Sequence, residues 1–334
     1  MRILVTGGLG FIGTNFIRYM LSRDREVEIT NIDKVGAGSN LENLEDLNGQ
    51  ANYRFIRGDI SDLKLMAEAV KDVDAIVNFA AETHVDRSIR EPRPFIQSNI
   101  LGVFTILEAM RKYNRDACLV HVSTDEVYGE IQRGSFKESD RLNPSNPYSA
   151  SKASADMLCL AYHKTYNLNV KITRCTNNFG PYQFPEKLIP KTIIRAIKNL
   201  KVPIYGTGKN VRDWIYVLDH CEAIRLVLEN GRSGEIYNIS SGNELENIEV
   251  VRMILRHLGK DDDIIFFVED RPGHDLRYSL DSSKIRSELG WRPLHDFSSA
   301  LKETVEWYLR NESWWRPLAT KEILHPTPWK LNLQ

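Results

Sequence analysis

Apolar residues fall along the first half of the chain in two alternating textures. Short, near-continuous runs occur as ILVT (3–6), EVEITNID (26–33), YRFIRGD (53–59), AIVNFA (75–80) and CLVHVST (118–124). Between them, FIGTNFIRYMLSR, SDLKLMAEAVK and PFIQSNILGVFTILEAMRKY place apolar residues at three- and four-residue steps. The first texture predicts buried strands and the second predicts helices. Ser61-Asp62 supplies side chains suited to an N-cap for the middle helix. Strand–helix alternation with strands apolar on both faces predicts an α/β fold, a doubly wound, mostly parallel sheet covered by helices on each side.

After NVKITRC (169–175) the pattern changes. NNFGPYQFPEKLIP is rich in Gly, Pro and Asn, and the later strand-like pieces PIYG and EIYNIS are separated by helices of uneven length. This predicts a first domain over 1–175 and a smaller C-terminal substrate-binding lobe over 176–334, partly interleaved with the sheet. DDD (261–263) reads as a solvated loop, and ESWWRPL (312–318) as lobe packing or a contact between subunits.

Composition narrows the classes. The 334 residues are 42% hydrophobic and 27% charged, an ordinary globular balance. With 44 Lys plus Arg against 45 Asp plus Glu, no global field draws the chain to nucleic acid or to a membrane surface, so an anionic ligand needs local cations. Cys118, Cys159, Cys175 and Cys221 form no CxxC pair, and three of them sit in apolar segments where a reduced, buried thiol is the ordinary reading. MRILVTGGLGFIG is too short and too Gly-broken for a secretory core, and no run reaches the roughly 20 apolar residues of a membrane span. The expected location is the cytoplasm.

LVTGGLGFIG sets Gly7, Gly10 and Gly13 directly after the first strand and into the first helix. Glycines there let the backbone approach a pyrophosphate, which the N–H groups and dipole of the helix N-terminus attract. The second strand ends in Asp33, where a carboxylate takes the adenosine ribose hydroxyls and repels a 2′-phosphate. The cofactor expected in this Rossmann arrangement is therefore NAD, with Lys34 beside it in the same site.

NPYSASKASADMLCLAYHK puts Tyr148 and Lys152 on one helical face, where an ammonium lowers the pKa of a phenol that takes a proton from an alcohol. Tyr205 and Lys209 share the spacing but lie in a Gly-rich turn without a helix to align them. VHVSTDEVYGE ends an apolar strand in Thr124, Asp125 and Glu126. The carboxyl end of a strand is where ligands bind in open α/β sheets. Alcohol oxidation needs only the tyrosine and a hydroxyl; two further carboxylates, whose pKa values push apart, suit the acid–base work of a dehydration.

The glycine turn, STDEVYG and YSASK together resemble the extended short-chain dehydrogenase/reductases that act on nucleotide sugars. More narrowly, AAETHVDRSI, NNFGPYQFPEKLIP, GKNVRDWIYVLDH and DRPGHDLRY are similar to blocks of the dTDP-glucose 4,6-dehydratase family, over Met1 to about Leu318. The resemblance implies that Tyr148 is the base for the glucose C4 hydroxyl, with Thr124 bonded to it. It makes Glu126 the base for the C5 proton and Asp125 the acid for the departing C6 hydroxyl, with the hydride returned to C6 by the NADH formed. It implies a cofactor lining of Phe11, Ile12, Asp33, Asp59, Ile60, Ala80, Ala81, Ser98, Tyr148, Lys152 and Asn178. It implies a dTDP-glucose lining of Thr83, Asn177, Glu186, Lys187, Leu188, Tyr205, Arg212, Asn247, Arg271, His274 and Tyr278. A homodimer is expected on the same ground.

A guanidinium such as Arg212 suits a diphosphate in its own right; the plainer reading is a surface arginine paired with Asp213. His84 and His274 match no metal-ligand spacing, and no metal is expected. The chain departs from the family at Val35-Gly36-Ala37-Gly38-Ser39, where a Thr-Tyr-Ala-Gly segment is usual, and at Thr83, where serine is commoner. An epimerase or decarboxylase of the same fold shares C4 oxidation, but an epimerase leaves Asp125 without a task; within the dehydratases a base other than thymine stays open. A non-catalytic NAD-sensing protein gains nothing from Tyr148, Lys152, Thr124, Asp125 and Glu126 together.

Overall fold

A computed structural model describes residues 1–331, so 332–334 of the expected C-terminal lobe lie outside the described residues. The first half runs β1 (Arg2–Thr6), α1 (Phe11–Arg23), β2 (Glu28–Asp33), β3 (Tyr53–Arg57), α2 (Leu63–Ala69), β4 (Ala75–Asn78), α3 (Val85–Arg90) and α4 (Arg93–Phe95). A π-helical turn (Ile96–Leu101) leads into α5 (Gly102–Tyr113), followed by β5 (Cys118–Thr124), α6 (Pro147–Tyr166) and β6 (Val170–Cys175). The second half continues with β7 (Asn177–Phe179), α7 (Leu188–Ile197), β8 (Val202–Tyr205), β9 (Val211–Tyr216), α8 (Val217–Asn230), β10 (Ile236–Ile239) and β11 (Glu244–Glu246). It closes with α9 (Asn247–His257), β12 (Ile265–Val268), α10 (Ser283–Leu289), α11 (Phe297–Arg310) and α12 (Glu312–Trp315).

Seven parallel strands form the main sheet in the order β10-β6-β5-β4-β1-β2-β3. Strand periodicity divides its core cleanly. Ile3 and Val5 of β1 point to the face covered by α1, α8 and α10, and Leu4 points to the face covered by α2, α5 and α6. Burying each such side chain contributes about 1.5–3 kcal/mol. The chain turns back on itself between β1 and β4, and the crevice at their carboxyl ends is the switch point where open α/β sheets bind ligands.

The helix ends follow local chemistry. Asp62 caps α2 by accepting from Lys64 and Leu65 N–H groups. Asn146 and Ser149 form a reciprocal capping box around Pro147 at the start of α6, and Asn167 ends that helix in the left-handed region. The sequence predicts one helix over 94–113, but the structure interrupts it. The π turn supplies an extra residue that directs both Ser98 and Asn99 inward. Asn99 then bonds Glu82 N and O at 2.8 and 3.0 Å and Ser151 Oγ at 2.8 Å. The expected loop at 261–263 also differs: Asp262–Ile264 is a 3-10 turn, with Asp262 paired to Arg252 at 2.8 Å.

EIYNIS supplies β10, which pairs with β6 and so carries the second half of the chain into the main sheet. Smaller sheets, β11-β9-β7 and β12-β8, make the remaining lobe, with PIYG contributing the end of β8. Trp314 and Trp315 of ESWWRPL are buried in that lobe's core beside Phe179, Tyr216 and Tyr308.

Candidate active site

The crevice at β1 and β4 requires glycine. A Cβ on Gly7, whose φ is +74°, would lie 2.5 Å from Ala80 N, and one on Gly13 would lie 2.5 Å from the Gly7 carbonyl oxygen. The backbone is therefore packed as closely as it can be at the N-terminus of α1, leaving room for a pyrophosphate. Asp33, at the end of β2, is held rigidly: Oδ2 accepts from Leu9 N at 3.1 Å, and Oδ1 accepts from Val35 N at 2.7 Å and Ser39 Oγ at 3.0 Å. Val35–Ser39, the segment that departs from the family pattern, thus helps to fix the Asp33 carboxylate. Lys34 Nζ donates to Ser98 Oγ at 2.6 Å and lies 3.3 Å from Glu82. Asn178 accepts from His220 Nδ1 at 2.8 Å and donates to the Thr176 carbonyl at 3.0 Å.

One cavity is lined by Gly7, Gly10, Phe11, Ile12, Gly13, Asp33, Lys34, Asp59, Ile60, Ala80, Ala81, Ser98, Tyr148, Lys152 and Asn178, every residue expected at the cofactor. Thr124, Asp125 and Glu126 line it too. These three stand at the carboxyl end of β5, which is buried along its whole length, and start a 3-10 turn over Asp125–Tyr128. Thr124 Oγ1 donates to Asp125 Oδ1 at 3.1 Å and accepts from Glu126 N at 3.3 Å. Asp125 is 3% exposed. Asp125 Oδ2 and Glu126 Oε2 are buried without a hydrogen-bond partner among the described residues. Burial, reinforced by the Glu126 carboxylate, pushes the Asp125 carboxyl up to about 8. Burial also raises Glu126, while Arg271 and Arg212 favour its charged form.

Tyr148 sits in the first turn of α6, its ring edge-on to Phe95 at 6.3 Å. Burial and the Glu126 charge hold the Tyr148 phenol well above its ordinary value, with the Thr124 hydroxyl acting in the opposite sense. The Lys152 ammonium is bonded to the Val122 carbonyl at 2.7 Å, and its own pKa is lowered by burial.

A second cavity adjoins the first, and Thr83, Glu126, Asn177, Glu186 and Lys187 line both. Leu188, Tyr205, Arg212, Asn247, Arg271 and His274 line the second as well, together with His84, Asp86, Lys191 and Trp214 among others. Tyr278 lines neither; it is 2% exposed, bonds Asp275 at 2.5 Å and lies under the Arg212 guanidinium at 4.2 Å. The surface-pair reading of Arg212 is overturned. Arg212 is buried and donates to the carbonyls of Val211, Asp275 and Leu276, whereas Asp213 accepts from Ser240, Ser241, Gly242 and Asn243. A buried guanidinium without a carboxylate partner among the described residues is suited to an anionic ligand.

Sequence reasoning did not single out Asp86, Arg87, Lys191 or Trp214 in or beside this cavity. Asp86 and Arg87 fall within AAETHVDRSI, and charged residues opening a helix just after a strand end were the available signal. His84 is buried at the start of α3, its pKa lowered to about 4 by burial. Among the described residues no group of three or more His, Cys, Asp or Glu side chains is placed to hold a metal ion, and no helix is long and apolar enough to cross a membrane.

Fold and site together define a Rossmann-fold, nucleotide-sugar-modifying enzyme of the extended short-chain dehydrogenase/reductase class. The chain belongs to the GDP-mannose 4,6 dehydratase family, whose model matches residues 4–304. It is 49% identical over 332 residues to a dTDP-glucose 4,6-dehydratase of Streptomyces niveus, covering 98% of each chain. Against DesIV of Streptomyces venezuelae, a dTDP-glucose 4,6-dehydratase solved with NAD bound, it has a TM-score of 0.93 and 48% identity, covering 95% of this chain and all of that one (100%). A UDP-glucuronic acid 4-epimerase of Bacillus cereus, also solved with NAD, is similar at a TM-score of 0.88 and 26% identity, covering 93% of this chain and 99% of its own.

Proposed function

We propose that this chain catalyses the 4,6-dehydration of dTDP-glucose, giving dTDP-4-keto-6-deoxyglucose and water. The observation that carries the reading is the buried Asp125–Glu126 pair. Each residue has an unpartnered oxygen, and both stand beside Tyr148 at the carboxyl end of β5. Relatives at 46–49% identity over nearly the whole chain carry the same activity in their names.

The residues of the first cavity fit NAD, because the glycine cradle admits a pyrophosphate and Asp33 is fixed for a ribose with unmodified hydroxyls. NAD held by these residues would supply the hydride acceptor for C4 and the donor for C6. Tyr148 takes the proton of the C4 hydroxyl, which the Thr124 hydroxyl orients. The resulting ketone acidifies C5, and Glu126 removes that proton; burial raises its carboxyl, which suits a base, while Arg271 and Arg212 oppose that rise. Asp125, still protonated near neutrality, gives its proton to the departing C6 hydroxyl, which leaves as water. No net oxidant or reductant is consumed.

In the division of labour proposed, 1–175 carries NAD and the reacting groups, while 176–334 mainly holds the sugar nucleotide. The enzyme is read as a cytoplasmic homodimer. Four free buried thiols support the first part. Exposed Phe104 and Met157, on the neighbouring helices α5 and α6, support the second.

The test is to incubate purified protein with dTDP-glucose in deuterated water, with no reductant added, and to follow the sugar by NMR. A 4-keto-6-deoxy product with deuterium at C5 is expected. An epimerised sugar, or an unchanged one with NAD bound, overturns the reading. UDP- and GDP-glucose run in parallel assign the base.

A further inference from the structure

Asp86 is one of three carboxylates, with Glu126 and Glu186, in a cavity also lined by Lys187, Lys191, Arg212 and Arg271. It stands in the first turn of α3, 1% exposed, and its two oxygens reach two separate parts of the C-terminal lobe. Oδ1 accepts from Arg271 Nη1 at 2.9 Å, and Oδ2 accepts from the Tyr205 hydroxyl at 2.9 Å. Both partners line the second cavity, Tyr205 from the end of β8 and Arg271 from the segment after β12.

With Nη1 engaged, Arg271 Nε is buried and has no partner among the described residues. An unpaired buried donor of this kind is destabilising, and an incoming acceptor relieves it. Nε and Nη2 form the side edge of the guanidinium, the edge that grips a phosphate through two parallel bonds. Asp86 occupies the other nitrogen. Its own charge is offset by the two donors it accepts, so it does not leave a bare anion facing the substrate.

We propose that Asp86 is a positioning residue for substrate binding: it turns Arg271 so that the Nε edge meets the diphosphate, and it pins Tyr205 in the cavity wall. This rests on reading the second cavity as the sugar-nucleotide site. It adds to that reading a residue from the N-terminal half that organises two residues of the C-terminal lobe.

The experiment is titration calorimetry of the NAD-loaded protein with thymidine diphosphate, on Asp86→Asn, Asp86→Ala, Arg271→Met and the Asp86→Asn/Arg271→Met double variant. Asp86→Asn keeps the shape and an acceptor for Tyr205, so it guards against a folding failure of Asp86→Ala. Asp86→Asn is expected to weaken binding about tenfold and Asp86→Ala more. Bound NAD should be retained, and KM for dTDP-glucose should rise more than kcat falls. In the Arg271→Met background, Asp86→Asn should cost less than about twofold, because the residue it positions is gone.

If Arg271→Met weakens binding and Asp86→Asn does not, the positioning role is wrong while the cavity assignment stands. If Asp86→Asn costs the same factor in both backgrounds, it does not act through Arg271 and the inference fails. Loss of NAD in parallel with thymidine diphosphate marks Asp86 as a general structural residue and also overturns it. If Arg271→Met itself binds normally, the diphosphate reading of the cavity fails first.

Discussion

Lys152 Nζ donates to the main-chain oxygen of Val122 at 2.7 Å, tying α6 to β5 two residues before Thr124. The lysine therefore sets the spacing between the helix that carries Tyr148 and the strand that leads into the two carboxylates. Lys152→Met is expected to lose both the local charge and this tie. The stranded carbonyl costs about 1–3 kcal/mol, and turnover falls at least about 100-fold. Thermal melts and initial rates check the two together; a variant slowed with an unchanged melting temperature contradicts the structural half.

Asp125 and Glu126 are adjacent in sequence but are predicted to fail differently. Glu126→Gln should abolish exchange of the C5 proton with solvent deuterium. Asp125→Asn should retain that exchange while losing elimination by about 10²–10⁴-fold. Rapid-quench NMR distinguishes them, and identical defects in both reactions would remove the separate roles.

The elevated Asp125 carboxyl predicts opposite effects on rate and stability. Its proton is needed for elimination, so the rate should decline above about pH 8, the value to which burial and Glu126 raise it. An unfolded aspartyl ionises near its ordinary value, so the folded state holds the proton more tightly. The stability contribution is complete below about pH 4 and falls as pH rises to about 8. Asp125→Asn should accordingly melt higher than wild type at pH 8, by at least about 2 °C, and equally at pH 4. Calorimetric scans at the two pH values test this; a variant that is less stable at pH 8 refutes it.

Gly13→Ala places a methyl group 2.5 Å from the Gly7 carbonyl and 2.8 Å from Gly8 Cα, both backbone atoms with nowhere to go. The start of α1 has to shift, and NAD carried through gel filtration should fall at least about tenfold. Normal NAD content would show that the turn gives way more easily than its packing implies.

The dimer reading predicts that Phe104→Glu, at an exposed apolar site on α5 beside the helix that carries exposed Met157, separates subunits in light scattering without lowering the melting temperature of the isolated chain. A wild-type protein that is itself monomeric at micromolar concentration ends that reading.

Much of this architecture was legible in the sequence because its signals are local. A glycine turn after an apolar strand, and a tyrosine and lysine on one helical face, need only neighbours a few residues away. The rest was set by contacts distant in sequence. Three- and four-residue apolar steps do not register the single extra residue of Ile96–Leu101 that turns both Ser98 and Asn99 inward. Asp213 looked like a partner for Arg212 because it is adjacent, yet adjacent residues of a strand point to opposite faces, and β9 sends the two into different surroundings. The partner of Lys152 is a carbonyl, which has no residue type to recognise.

Strand β10 has a consequence for how such enzymes can diversify. It arrives from the second half of the chain, caps the open edge of β6, and brings Asn238, which accepts from the Tyr128 hydroxyl at the end of the Asp125–Tyr128 turn. A cut after Cys175 would therefore strip one border of the sheet and unfasten the segment bearing both carboxylates. Substrate preference cannot be exchanged by fusing the front of one relative to the back of another; a working chimera has to leave 236–239 with its original sheet and graft only the segments around it.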